Sequence, residues 1–383
     1  MFDVTVVGGG MVGASIAALL AQQGWQVALI EAVKPAPYQP EQPADLRVSA
    51  INQRSQRWLE QSGAWQAVSQ MRLCPYRRLQ AFEQPDQLVE FTAESIGQDV
   101  LGHIVENRLL QLAIWQQFPE QLTLYCPAKV VDVQQDEQQV TLQLDDGQSV
   151  QSRLVIAADG ARSELRHLVG IGTRGWRYPQ GCLVAHVHTE QAQQDVTWQQ
   201  FTEQGPRAFL PLSGQQASLV WYDKVDRVRQ LAGLSAKDLT AAITAEFPSQ
   251  LGVCQVERAV WFPLHRQHAL EYSQGRVVLV GDAAHAIHPM AGQGVNLGFA
   301  DADCLTKLLL QTDQTQLDLP TLLLQRYQRE RQPHNWLMMT GMDALYQGFG
   351  SRWPVLRAAR RLGLTLAAQA GPFKQWLARY ATG

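Results

Sequence analysis

The chain of 383 residues is short of the features that would tie it to a disulfide framework, a metal cluster or a membrane span. Its five cysteines (Cys74, Cys126, Cys182, Cys254, Cys304) are scattered without a C-x-x-C pair, so neither a disulfide scaffold nor a structural metal is expected. A reducing cytoplasm is the simplest compartment for such a chain. No run of about 18 apolar residues occurs, and a spanning helix is not expected. The apolar N-terminus carries Asp3 and no basic flank, which argues against a signal peptide. Internal repeats and low-complexity tracts are also missing. Acids are absent from the last forty residues, where six bases stand: Arg352, Arg357, Arg360, Arg361, Lys374 and Arg379. Against a net charge of −3, residues 1–343 therefore hold 26 basic and 35 acidic side chains, a balance of −9 that does not suit nucleic acid.

What is present begins at the first residue. Phe2 to Val7 read as an apolar strand, Gly8, Gly10 and Gly13 form a G-x-G-x-x-G turn, Ala14 to Gly24 continue as a helix, and Val27 to Ile30 make a second strand ending in Glu31. In such a unit Gly8 allows the tight turn, Gly10 lets the backbone approach a pyrophosphate, and Gly13 lets helix and strand pack closely. The helix N-terminus offers free N–H groups and partial positive charge to the phosphates. Glu31 is placed to accept from a ribose. The bland alternative is a glycine-rich turn in an ordinary βαβ unit. At this length the chain suits two domains or one large domain with an insertion.

Two further stretches place glycine beside aspartate at the end of an apolar strand. Leu154 to Ala158 run into Asp159-Gly160, with Arg162 and Arg166 following. Arg276 to Val280 run into Gly281-Asp282, with His285, His288, Pro289 and the turn Gly292-Gln293-Gly294-Val-Asn296 beyond. Gly281 leaves room for a cofactor, Asp282 can hold a ribityl hydroxyl, and the helix after Gly294 can turn its amides to the pyrimidine end of an isoalloxazine. Between the two, from about Tyr178, short alternating strands form an antiparallel meander.

With these three motifs in order, the whole chain resembles the single-component flavoprotein aromatic hydroxylases, the para-hydroxybenzoate hydroxylase class. Arg47-Val-Ser-Ala-Ile, Pro75-Tyr-Arg-Arg-Leu, Trp198-Gln-Gln-Phe201 and Met342-Asp343-Ala-Leu-Tyr346 are similar to the ubiquinone-pathway members. The resemblance implies an α/β fold with a Rossmann-like FAD-binding domain (1–72, 102–177 and 265–335), an inserted antiparallel-sheet substrate domain (73–101 and 178–264) and a C-terminal helical segment (336–383). It also implies FAD as resident cofactor, NAD(P)H as transient co-substrate, and O2. The expected reaction hydroxylates a prenylated quinol or phenol ring, with 2-octaprenyl-3-methyl-6-methoxy-1,4-benzoquinol the nearest match. A sibling acting at another ring carbon, a flavin oxidase or dehydrogenase without oxygen transfer, and a flavin-holding scaffold stay open, though a scaffold has no need of a reactive cofactor pocket.

The expected cofactor contacts are Gly8, Gly10, Gly13, Glu31, Arg47, Arg108, Asp159, Gly160, Gly281, Asp282, Gly294 and Asn296. Pro289, Gly292, Gln293 and Gly294 are the candidates for the pocket at the ring. Arg47 is otherwise a surface ion pair. His285 and His288, three apart and without further ligands, read as packing rather than a metal or acid/base pair. Trp198, Trp221 and Trp261 either line a quinol pocket or fill the sheet core, and core is the simpler choice. Arg162 and Arg166 either touch NAD(P)H phosphates or start a solvated helix. In the tail, Val355, Ala359, Leu362 and Leu366 share one helical face and Arg357, Arg360 and Arg361 the other. That pattern suits a helix docked on its own protein or on a biosynthetic complex, or one lying peripherally on the inner membrane where a prenyl substrate resides.

Overall fold

The computed structural model describes residues 1–84, 88–191, 194–287, 292, 294–312 and 321–350. A parallel sheet runs in the order Val277–Leu279, Ser149–Ala157, Phe2–Val7, Val27–Ile30, Thr123–Tyr125. Its apolar strands are buried on both faces, as parallel strands covered by helices must be. Helix Met11–Gln22 packs on it and buries nine consecutive residues from Gly13 to Ala21, because its small Ala-rich surface fits closely between neighbours. Val130–Gln135 and Val140–Leu144 form a hairpin that extends the sheet beside Ser149–Ala157, and the turn Asp145-Asp146-Gly147 leads from it into that strand.

The second sheet has eight strands. Its order is His285–Ala286, Cys254–Ala269, Thr173–Thr189, Gln216–Lys224, Arg207–Pro211, Val196–Gln200, Arg78–Phe82, Val89–Thr92. All its neighbours are antiparallel except Val196–Gln200 with Arg78–Phe82. Helices Val225–Ala232 and Ala236–Glu246 cover one face, with Leu231, Leu239 and Ile243 in a core with Trp198 and Trp221. A small sheet of Val48–Asn52, Gly102–Glu106 and Cys74–Tyr76 shares a core with Leu210 and Leu212, in and just after strand Arg207–Pro211 of the second sheet.

Three elements run across the boundaries expected from sequence. Strands Thr173–Thr189 and Cys254–Ala269 cross the expected limits at 177/178 and 264/265, and helix Thr321–Gly350 passes unbroken through residue 336 despite Pro333. Helix Val225–Ala232 is absent from the sequence expectation although Val225, Val228 and Leu231 recur at helical spacing; at eight residues it is short enough to pass for a connection between strands. No helix among the described residues is long and apolar enough to cross a membrane.

Candidate functional site

The site is built where strand ends of the parallel sheet turn into helices. Gly8 has φ +104° and lies so close to Ala158 that a Cβ would sit 2.4 Å from its carbonyl oxygen. A Cβ at Gly13 would meet the Gly8 carbonyl oxygen at 2.1 Å, while one at Gly10 would meet nothing within 4 Å. The first and third glycines are thus demanded by packing, and the second borders open space at the helix N-terminus. Glu31, ending the next strand, accepts from the Gly9 amide at 2.5 Å and from Val33 at 2.9 Å. It therefore braces the glycine turn as well as standing at the expected ribose position. Arg108 donates to the Ala36 carbonyl at 3.2 Å and holds the proline-rich loop.

Arg47 sits on that loop and is exposed. Its backbone is fixed by Asn107, whose amide donates to the Arg47 carbonyl at 3.0 Å, and by Asp45, which accepts from the Arg47 amide at 3.1 Å. The loop itself is clasped by Glu106, which accepts from the Asp45 amide at 2.7 Å and from Arg72 at 2.8 and 3.0 Å.

Asp159 and Asp282 arrive from neighbouring parallel strands. Burial raises the Asp159 pKa, opposed by hydrogen bonds from Ser163 and backbone amides; one carboxylate oxygen accepts from Leu165 at 3.2 Å and the other, Oδ1, is buried without a partner. Gly160 (φ +82°) faces open space beside it. Asp282 keeps exposed surface yet is closely surrounded by protein, so it lines a recess. That crowding raises its pKa, and the charges of His285, Arg47 and His265 pull it back. Arg47 from one side and His265 from the second sheet thus converge electrostatically on Asp282.

Arg166 is neither of the things expected of it. It is 1% exposed, and it ties the Asp159 segment to the Gly281 turn by donating to the Ala283 carbonyl at 2.8 Å. Asn296 is likewise spent inside the protein, donating to the Ala50 carbonyl at 2.8 Å and accepting from Ser55 at 2.8 Å. Gly294 opens helix Gly294–Leu310, and Gly292 (φ +62°) lies against Ala50. Pro289, Gln293 and His288 fall outside the described residues, as does the basic tail. His285 is buried and paired with Asp301 at 2.5 Å; no group of three or more potential metal ligands occurs among the described residues.

Trp198 and Trp221 point away from the recess, 1% and 2% exposed beneath the two covering helices, and Trp261 packs at the edge of the same core under Arg229. Strand alternation puts Val184, Val220, Tyr222 and Phe262 on the opposite face. Further along that face Leu79 and Leu210 join Val48 and Ala50 of the small sheet, next to Gly292. This second apolar face of the sheet is one that tryptophan content does not reveal.

The sequence reading also missed Asp301. Lying 0% exposed in helix Gly294–Leu310, it accepts from the Gly281 amide at 3.1 Å, from Arg331 at 2.7 Å and from Asn335 at 3.0 Å, besides His285. Burial alone would raise its pKa, but His285 and Arg331 overcome that and hold it at about 2. The signal was available, since an acid on the same helical face as Leu305 and Leu308 must find a buried partner.

The residues fit FAD: an open helix N-terminus at Gly10, an orphaned carboxylate oxygen on Asp159 and the exposed Asp282 carboxylate all follow the ends of three adjacent strands of one parallel sheet. This is the fold of the flavin-dependent aromatic monooxygenases. The crystal structure of p-nitrophenol 4-monooxygenase from Pseudomonas putida is similar with a TM-score of 0.79 at 19% identity, covering 100% of this chain and 98% of that one. The chain belongs to the FAD binding domain family, which matches residues 1–341, and within it to the ubiquinone-biosynthesis hydroxylases. It is 44% identical to 3-demethoxyubiquinol 3-hydroxylase of Escherichia coli (100% of this chain, 98% of the relative). It is 36% identical to Ubiquinone hydroxylase UbiL of Rhodospirillum rubrum (100% and 89%).

Proposed function

We propose that the protein hydroxylates the ring of a prenylated benzoquinol, using NAD(P)H and O2, with 2-octaprenyl-3-methyl-6-methoxy-1,4-benzoquinol as the substrate. The observation that carries this reading is the 44% identity to the Escherichia coli hydroxylase across the full chain. A demethoxyubiquinol is a prenylated benzoquinol short of one methoxy group, the substrate class expected from the motifs. The overall change is balanced when one oxygen atom of O2 enters the ring and the other leaves as water, with NAD(P)H supplying two electrons.

Bound FAD supplies the redox chemistry that activates O2. The protein's part is binding, orientation and dryness. Gly8, Gly10, Gly13 and the helix N-terminus they shape would receive the pyrophosphate, Glu31 the ribose, and Asp159, Gly160 and Asp282 the ribityl side. Arg47, exposed on a clasped loop, offers a cation at the mouth of the recess. Val220, Phe262, Leu210 and Ala50 offer an apolar wall on which a quinol ring excludes water. In this division the parallel sheet with its helices holds the cofactor and the antiparallel sheet holds the substrate.

The test is anaerobic loading with FAD and the benzoquinol, followed by NAD(P)H and O2, with mass analysis of the quinol. A product heavier by one oxygen atom, labelled from 18O2, supports the reading. Reduced-cofactor consumption that yields only hydrogen peroxide with unaltered quinol would instead make this an oxidase.

A further inference from the structure

The Gly281–Ala283 turn has little hold of its own. Its amide at Gly281 points inward to Asp301 Oδ2, and its Ala283 carbonyl receives Arg166. The second oxygen of Asp301, Oδ1, is taken by Arg331 Nε and Asn335 Nδ2, both on helix Thr321–Gly350. Arg331 also donates to Asn335 Oδ1 at 2.9 Å, so the two side chains brace each other. One buried carboxylate therefore joins the turn bearing Asp282 to a helix distant from it in sequence.

Two ways of using this cluster can be distinguished by chemistry. Hydrogen bonds continue from Asn335 to Tyr272 at 3.1 Å and on to His268 at 3.0 Å, which resembles a proton path. An amide nitrogen that donates to both Asp301 and Tyr272 cannot accept a proton from either, so the chain is a strut and conducts nothing. A strut has a defined consequence. The carboxylate stays ionised in a fully buried place only because Arg331 and His285 face it. Neutralised, it would carry a proton on one oxygen and lose acceptor capacity that the Gly281 amide, His285, Arg331 and Asn335 now share.

We propose that Asp301 is a positioning residue for the flavin site: it fixes the Gly281 amide, and so the aim of the Asp282 carboxylate, while taking its own orientation from Arg331 and Asn335. The proposal rests on the reading of Asp282 as a flavin contact. Flavin affinity is then set partly by a helix one shell away from the cofactor.

The experiment titrates the apo-form of the full chain with FAD, reading flavin fluorescence and the visible circular dichroism of the bound flavin, with apo-protein melting recorded beside them. Asp282→Ala, Asp301→Asn, Arg331→Met and Arg331→Lys are compared. A charge-assisted hydrogen bond lost from a buried carboxylate predicts that Asp301→Asn and Arg331→Met weaken FAD about tenfold to a hundredfold and change its dichroism, with Arg331→Lys milder than Arg331→Met. If Asp282→Ala weakens FAD while the folded Asp301 and Arg331 variants bind within about twofold of the parent with an unchanged dichroic band, the positioning role is overturned and the Asp282 reading survives. If Asp282→Ala itself leaves affinity unchanged, the reading of the turn falls and the positioning role with it. Should Asp301→Asn not accumulate as folded protein, Arg331→Met, which alters neither Asp301 nor the turn, carries the same test with the same outcomes.

Discussion

Gly10 and Gly13 stand three residues apart and answer substitution in opposite ways. A methyl group at Gly13 collides with the Gly8 carbonyl, backbone against backbone, so Gly13→Ala costs about 3 kcal/mol or more and lowers melting whether or not flavin is present. At Gly10 the backbone is extended (φ −66°, ψ 179°) and the space is empty, so Gly10→Ala changes apo-protein stability by only about 1 kcal/mol or less. Its effect falls on FAD, which has to approach that backbone closely, and affinity drops about tenfold or more. Thermal melts of apo and FAD-loaded forms separate the two. Equal loss of apo stability in both variants would contradict the assignment. The glycine pattern was legible in the sequence because spacing alone encodes it. Arg166 was not, because a guanidinium at a helix start looks the same in sequence whether it meets water, a phosphate or a buried carbonyl.

Among elements, the antiparallel sheet separates fold from substrate by its two faces. Trp198 lies under the covering helices, and Trp198→Ala is expected to cost about 3–5 kcal/mol with the KM for quinol unchanged in the folded fraction. Phe262→Ala on the other face should do the reverse, raising KM several-fold with a smaller loss of stability, because Phe262 is only partly buried. Steady-state hydroxylation and urea melts of both variants check this; a KM effect for Trp198 alone would reassign the faces. The alternating texture of these strands was readable from sequence, but which phase faced the flavin was not. A one-residue change of phase exchanges every inward and outward side chain, and only the covering helices decide it. One of those helices, Val225–Ala232, carries helical spacing at Val225, Val228 and Leu231 but is only eight residues long, which hides it among the strands.

For the molecule as a whole, acid is the revealing stress. His103, His186 and His268 each have a pKa lowered to about 4 by burial first, with the Arg258 charge adding for His186 and His285 and Arg266 for His268. In the unfolded chain a histidine titrates near about 6.5, so between about pH 6.5 and about pH 4 the unfolded state holds more protons and stability falls as pH falls. Asp301, held at about 2, adds its loss only below about pH 4, in the same direction. Denaturant midpoints measured from about pH 7 downward should therefore decline well above the range in which Asp301 titrates, and His186→Gln should flatten the upper part of the curve. A profile flat to about pH 4.5 would show that these imidazoles are not buried neutral in solution.

Helix Thr321–Gly350 is fastened at several heights. Tyr327 donates to the Leu279 carbonyl at 3.0 Å, Arg331 grips Asp301, and farther on Asp343 meets Tyr178 and pairs with Arg266 at 3.0 Å, both on strands of the antiparallel sheet. A single rigid rod thus spans both lobes and pins each of them. A hinge opening between the two sheets would have to break the buried Asp343 pair as well as the Asp301 node. Passage of a long-chained quinol and its product is therefore expected to use loop movements, which leave these fastenings intact.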